Sequence, residues 1–240
     1  MTTIRIPLPV IETAIRDVCQ VLEQQICHAP PWKQRAEEDL WRELVACILG
    51  SRVHFNVAHA ATRRMEKARL FSKQRRSSEY DKYERDVVDA LWCDGRDSSA
   101  TGRYPFPKLR GSQIRTAAER FYAQGATIRS LLETAQDVRE ARRRLATEVA
   151  GLGPKQASLF LRNIGYATHV AVLDVHVLTY MNWVGLTPTP MKSVRTVSQY
   201  ETLEDVFIEH SHSAGYAPDH FDVAVWVVVR VAKKECETWR

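Results

Sequence analysis

Apolar residues recur at three- and four-residue intervals through most of this chain, which places them on one face of successive α-helices. Ile11, Ile15, Val18, Leu22 and Ile26 mark a first amphipathic helix. His28-Ala-Pro-Pro-Trp32 closes it, because proline cannot continue a helix, and Trp32 reads as a core plug. Residues 36–49 predict a second helix with Leu40, Leu44, Val45 and Ile48 facing inward. The turn Gly50-Ser-Arg-Val-His-Phe55 leads to a third over residues 56–71, with Asn56 as its cap. Residues 80–92 and 111–124 follow the same rule, the latter burying Ile114, Ala117, Ala118 and Phe121. Residues 127–135 read as a connection. Residues 135–150 carry Val138, Leu145, Ala146 and Val149 at helical spacing. Further helices are expected through Ala157, Phe160, Leu161 and Ile164, over residues 175–184, and over residues 200–212.

The last segment, Phe221-Asp-Val-Ala-Val-Trp-Val-Val-Val-Arg-Val231, is ambiguous on periodicity alone, since β-branched residues favour strands. No partner strand is apparent elsewhere, so a buried helix is the better reading. The clearest loop is residues 93–102, rich in turn formers and followed by extended Tyr104-Pro-Phe-Pro107. Lys73-Gln-Arg-Arg-Ser-Ser78 is a basic turn, too short for a localisation signal. There are no internal repeats or low-complexity tracts. The pattern predicts an all-α fold.

With 240 residues the chain can bury a good core as one domain or two small lobes. A net charge of +5 and a pI of about 9.0 are compatible with nucleic acid without requiring it. Cys19, Cys27, Cys47, Cys93 and Cys236 lack C-x-x-C spacing, which suggests reduced thiols in a cytoplasmic protein. No signal peptide and no membrane-spanning run is recognised. His210 and His212 lack a third ligand at convincing spacing, so no metal is expected.

The candidate chemistry lies in Val149-Ala-Gly-Leu-Gly-Pro-Lys-Gln-Ala-Ser158 and in Leu173-Asp-Val-His176. Gly151 and Gly153 permit positive φ and a close backbone approach. Pro154 suits the first turn of a helix, where its missing N–H costs nothing. The N–H groups and dipole of that helix start form an anion site suited to a DNA phosphate, with Lys155 in the first turn. Asp174, directly before a helical run, is a good N-cap as well as a candidate catalytic carboxylate. Arg139, Arg142, Arg143 and Arg144 form the densest positive cluster, open to phosphate contact or to simple solvation.

The hairpin, the lysine and the downstream aspartate together resemble the helix-hairpin-helix DNA glycosylases. Phe160-Leu-Arg-Asn-Ile-Gly-Tyr166 is most similar to the short 8-oxoguanine DNA glycosylase/AP lyase branch of archaea and bacteria. The resemblance extends less tightly from about Trp41 to Trp226. It implies two helical lobes with the active site in the cleft between them. The central lobe would span residues 33–165, with the hairpin motif at about 136–165. The second would combine residues 1–32 with 166–240. Lys155 would be the nucleophile that forms a Schiff base, and Asp174 would stabilise charge developing on the sugar. A helix N-terminus and a dry cleft both favour the neutral amine that a nucleophile needs.

Gly151, Gly153, Gln156, His176, Arg52 and Arg142 would contact DNA, with Arg52 filling the gap left by an extruded base. Trp226, Asp222 and Phe221 would line the base pocket. The implied partner is double-stranded DNA with a flipped-out target base, handled by a monomer without cofactor, metal or iron–sulfur cluster. The chain departs from the family pattern at Arg52, where a Gln or similar polar residue is usual. It departs again in its tail Lys233-Lys-Glu-Cys-Glu-Thr-Trp-Arg240, which does not end in Lys. Other modified bases therefore remain open beside 8-oxoguanine, including a hypermodified cytosine of phage DNA. So does a non-catalytic DNA-binding module. A nuclease on the same scaffold would need clustered carboxylates for metal, which the sequence does not supply.

Overall fold

A computed structural model describes residues 6–24, 31–73, 79–92 and 103–235. The loop 93–102, most of the basic turn 73–78, Cys27, Cys93, Cys236 and the end of the tail lie outside the described residues. Among those described, all regular structure is helical. Numbered along the chain, the helices are α1 (Leu8–Gln24), α2 (Glu37–Leu49), α3 (Phe55–Lys67), α4 (Tyr80–Trp92), α5 (Pro107–Tyr122), α6 (Ile128–Thr134), α7 (Val138–Glu148), α8 (Pro154–Asn163), α9 (Val175–Trp183), α10 (Val197–Ser213) and α11 (Pro218–Glu235), with a 3-10 turn at Trp32–Gln34. The chain divides into two compact units, one of residues 30–166 and one of Met1–Ala29 with Ala167–Arg240. No described helix is long and apolar enough to cross a membrane.

The unit of residues 30–166 is built around α2. Leu40, Trp41, Leu44, Val45, Cys47, Ile48 and Leu49 are all buried, more than one helical face, as a central helix requires. Glu37, Glu38 and Asp39 occupy its first turn, where the helix dipole favours negative charge. Glu37 also accepts the Ile128 N–H at 2.8 Å, the Arg129 N–H at 3.2 Å and the Tyr122 hydroxyl at 2.9 Å. It therefore satisfies the start of α6. That helix corrects the expectation of a plain connection over 127–135. Its signal is local: Thr127 and Ser130 form a reciprocal capping box, with Ser in the place usually held by Glu or Gln.

Helix α3 begins one residue earlier than expected, with His54 rather than Asn56 at the N-cap. It ends earlier too. Arg69 takes a left-handed φ of 55°, and the Leu70 N–H donates to the Met65 carbonyl while the Arg69 N–H donates to that of Glu66. This is a Schellman closure with arginine where glycine is usual.

In the other unit, α11 settles the ambiguity of the valine-rich run. Phe221, Ala224, Val225, Val229 and Ala232 are buried at helical spacing. The first four of these pack with Ile11, Ile15, Leu178, Met181 and Phe207 into one core. With no strand among the described residues to complete a ladder, the helix satisfies its own backbone despite the β-branched content.

Gly111 lies inside α5, where a Cβ would approach the Val88 Cγ2 to 2.4 Å. Val88 is β-branched and stiff in a helix, so the clash outweighs the helix propensity gained. Gly111→Ala is expected to cost about 1–3 kcal/mol, read as a lower melting temperature that Val88→Ala partly restores.

Candidate active site

The hairpin sits between α7 and α8. Helix α7 ends at Glu148, and the Leu152 N–H then donates to the Val149 carbonyl at 3.1 Å. Gly151, third in this four-residue turn, has φ +86°, the region that favours glycine. Val149 and Leu152 are buried and anchor the turn to the core. Gly153 is the N-cap of α8, with extended φ −81° and ψ 176°. A Cβ there would meet nothing within 4 Å, so the space beside it is open. Pro154 is N1, and Lys155 and Gln156 complete the first turn.

The Lys155 Nζ donates to the Gln156 Oε1 at 3.2 Å. Gln156 itself turns inward, 5% exposed, and its Nε2 donates to the Cys47 carbonyl at 2.8 Å. Its side chain therefore faces the core, and what Gln156 offers to DNA is its first-turn N–H. Its amide instead holds the end of α2, whose last carbonyls have no intrahelical donors. Two residues missed in the sequence share the task. The Tyr104 hydroxyl donates to the Leu49 carbonyl at 2.8 Å, and the Arg110 Nη2 donates to that of Ser51 at 2.7 Å. Arg110 is buried and also donates to the Gln113 Oε1 at 2.6 Å. An arginine among the inward positions of an amphipathic helix was the signal for it.

These bonds fix the turn that carries Arg52. Its φ is +61°, an arrangement that costs a side-chain-bearing residue about 1–2 kcal/mol. Arg52 is exposed. The arginine cluster of α7 divides by helix face. Arg139 and Arg143 are exposed, while Arg142 is 1% exposed. Arg144 donates to the Thr134 Oγ1 at 2.8 Å and the Leu131 carbonyl at 3.3 Å. Phosphate contact by Arg142 is therefore corrected: its side chain follows Ala141 and Leu145 inward.

Asp174 belongs to the other unit. It is the N-cap of α9, and its Oδ1 accepts the N–H groups of His176 at 2.8 Å and Val177 at 3.0 Å. Its Oδ2 has no hydrogen-bond partner among the described residues. The His176 ring stands edge-on to Trp226, with centroids 6.4 Å apart and planes at 88°. Trp226 is half-buried, and the Arg230 guanidinium lies 4.8 Å from its ring centroid.

Two base-pocket expectations are corrected. Phe221 is buried in the core, with ring centroids 5.6 Å from Phe207, 5.7 Å from His210 and 6.0 Å from Tyr180. Asp222 is 2% exposed and its Oδ2 accepts the Val172 N–H at 2.5 Å. His210 pairs with the Tyr180 hydroxyl at 2.9 Å. Among the described residues, no group of three or more His, Cys, Asp or Glu is placed to hold a metal ion. Burial, and then the Glu43 carboxylate, push the Cys47 thiol well up, so it is not a nucleophile near neutrality.

A family model described as 8-oxoguanine DNA glycosylase matches residues 98–216. The 8-oxoguanine DNA glycosylase/AP lyase of Sulfolobus acidocaldarius is 30% identical over 174 residues, covering 70% of this chain and 73% of that protein. This chain belongs to the 8-oxoguanine DNA glycosylase/AP lyase family. The family's fold is the one observed. The crystal structure of the Methanocaldococcus jannaschii 8-oxoguanine DNA glycosylase has a TM-score of 0.68 at 18% identity, covering 92% of this chain and 94% of that one. A structure from the same organism, in complex with a 15mer DNA containing 8-oxoguanine, has a TM-score of 0.62 at 18% identity, covering 92% and 89%. The expected fold class, all-α from the apolar pattern and a helix-hairpin-helix glycosylase from the resemblance, is therefore correct.

Two tests follow from the geometry of this glycosylase. A Cβ at Gly151 would lie 2.5 Å from the Gln113 Oε1 in a left-handed backbone. Gly151→Ala is expected to cost about 1–2 kcal/mol, seen in thermal melts, and to weaken binding to duplex DNA. Burial pushes the imidazoles of His176 and His210 below their ordinary value, against a lesser upward pull from Asp174 and Glu12 respectively. The unfolded chain thus binds protons near pH 6.5 that the folded unit resists. Stability should be fully present above pH 6.5 and fall on acidification through the folded values. His210→Gln should flatten that slope in melts between pH 7.5 and 5.

Proposed function

We propose that this chain excises 8-oxoguanine from double-stranded DNA through a Schiff base on Lys155 and then nicks the strand by β-elimination. One observation carries the reading. A lysine occupies the first turn of the helix that follows the hairpin, in a chain 30% identical to a glycosylase that is also an AP lyase. The amine attacks the anomeric carbon as the bond to the base breaks, and the base leaves with the bonding electrons. Opening of the sugar ring converts the adduct to a Schiff base. That cation acidifies the adjacent C–H, loss of the proton expels the 3′ phosphate, and hydrolysis returns the free amine. Asp174 stabilises the cationic sugar with Oδ2, the oxygen not committed to the cap of α9.

The supports for DNA contact are specific. The first-turn N–H groups of α8 suit a phosphate, and the open space beside Gly153 lets a backbone come close. Arg52 is exposed on a turn whose backbone is held by three side chains, suited to entering the stack that the base vacates. His176 and Trp226 offer a donor and an aromatic wall.

Borohydride trapping on duplexes carrying 8-oxoguanine or an abasic site tests the reading. Wild type should form a covalent adduct and Lys155→Gln none, with affinity for an abasic duplex kept. An adduct with Lys155→Gln would overturn the assignment of the nucleophile. Asp174→Asn separates catalysis from capping, because Asn caps a helix about as well as Asp. It should leave the melting temperature unchanged and lower single-turnover excision about 100-fold or more.

A further inference from the structure

The stretch leading to Asp174 is non-helical backbone buried in the core of its unit. Ala171, Val172 and Leu173 are buried, yet no strand among the described residues runs beside them. Buried N–H groups need partners, and here side chains supply them. The Ala171 N–H donates to the Glu204 Oε1 at 3.2 Å, that of Val172 to the Asp222 Oδ2 at 2.5 Å, and that of Leu173 to the Tyr200 hydroxyl at 3.0 Å. The Tyr200 hydroxyl in turn donates to the Ala171 carbonyl at 2.8 Å. The Asp174 N–H closes the run on the Val172 carbonyl at 2.9 Å.

We propose that Glu204, Tyr200 and Asp222 are positioning residues for Asp174, a polar clamp that sets where its carboxylate stands for the glycosylase step. All three are at most 2% exposed, and they come from α10 and α11 and not from α9, the helix that Asp174 caps. Burying two carboxyl groups is costly, and apolar side chains of similar size would fill the same space. What apolar side chains cannot do is fix three successive N–H groups and so the direction of the chain. From there Asp174 is determined twice. Its main chain is set by the clamp, and its Oδ1 is held by the first N–H groups of α9. Only Oδ2 is left for the sugar. A reacting group displaced by about 1 Å can lose about 100-fold in rate.

The inference rests on the catalytic role of Asp174, so its test is a double-mutant cycle against that residue. Tyr200→Phe removes only a hydroxyl. Glu204→Ala removes an acceptor, and Glu204→Gln keeps an oxygen that can accept the Ala171 N–H. Each is made in wild type and in Asp174→Asn. Single-turnover excision of 8-oxoguanine, duplex affinity and melting temperature are measured.

Tyr200→Phe and Glu204→Ala should slow excision about 10- to 100-fold in wild type, with Glu204→Gln recovering most of it and affinity unchanged. In the Asp174→Asn background the same changes should slow excision by less than about twofold, because the group they position has gone. Equal loss in both backgrounds would make the residues structural supports only, and no loss in wild type would remove the clamp altogether. Should Glu204→Ala fail to fold, Tyr200→Phe decides the matter alone. If Asp174→Asn excises as wild type does, the catalytic reading of Asp174 fails first. If it is inactive and the cycle is additive, the positioning inference alone fails.

Discussion

An α-helix cannot satisfy its own ends. Its first N–H groups and last carbonyls need partners from elsewhere, and the residues to which the proposed function gives roles sit at such ends. Lys155 is in the first turn of α8, and Asp174 is the cap of α9. Arg52 follows the last turn of α2, where Gln156 and Tyr104 take the Cys47 and Leu49 carbonyls and Arg110 takes that of Ser51 just beyond. An all-helical glycosylase has no strand edges or long sheets on which to mount chemistry. It uses the places where helices stop, because there the backbone is unspent and a side chain can project without competing with a packed face.

Those ends must also be rigid, and the two units achieve this in the same way. Buried polar side chains reach across the core to main-chain groups just before or after a helix. In the unit of residues 30–166 the donors are an amide, a phenol and a guanidinium, and they meet carbonyls. In the other unit the partners are mainly acceptors, two carboxyl groups and a phenol, and they meet N–H groups. The sign follows from which end of the helix is being held. Such groups weigh against stability when unmatched, so their value lies in the conformation they enforce.

Much of the fold was legible in the sequence because amphipathic spacing reports which face of a helix is buried. It also located the hairpin, where glycine, proline and lysine each answer a local backbone need. The same spacing does not say which core an inward polar residue faces. The resemblance and the adjacency to the hairpin put Gln156, Arg142 and Asp222 among the DNA or base contacts, and neither reports where a side chain points. Each instead lies on the inward side of its helix. Phe221 was misplaced for a related reason. An aromatic residue near a candidate pocket wall and one in the adjacent core occupy neighbouring turns, and only the packing against Phe207 and Tyr180 separates them. The helix over 128–134 was missed because Ser130 stands where a capping box usually has a longer acceptor.

The two hairpin glycines separate internal from external constraint. Gly151 answers to the protein itself: its φ is positive, and a Cβ would strike Gln113, which Arg110 holds in place. Gly153 answers to neither, with an ordinary extended φ and open space where a side chain would project. An alanine there would be tolerated by every neighbour within this chain. On the proposed function the missing neighbour is the DNA backbone, which must come close to the first N–H groups of α8 to receive their hydrogen bonds. A residue whose smallness serves nothing inside the fold is explained by what approaches from outside.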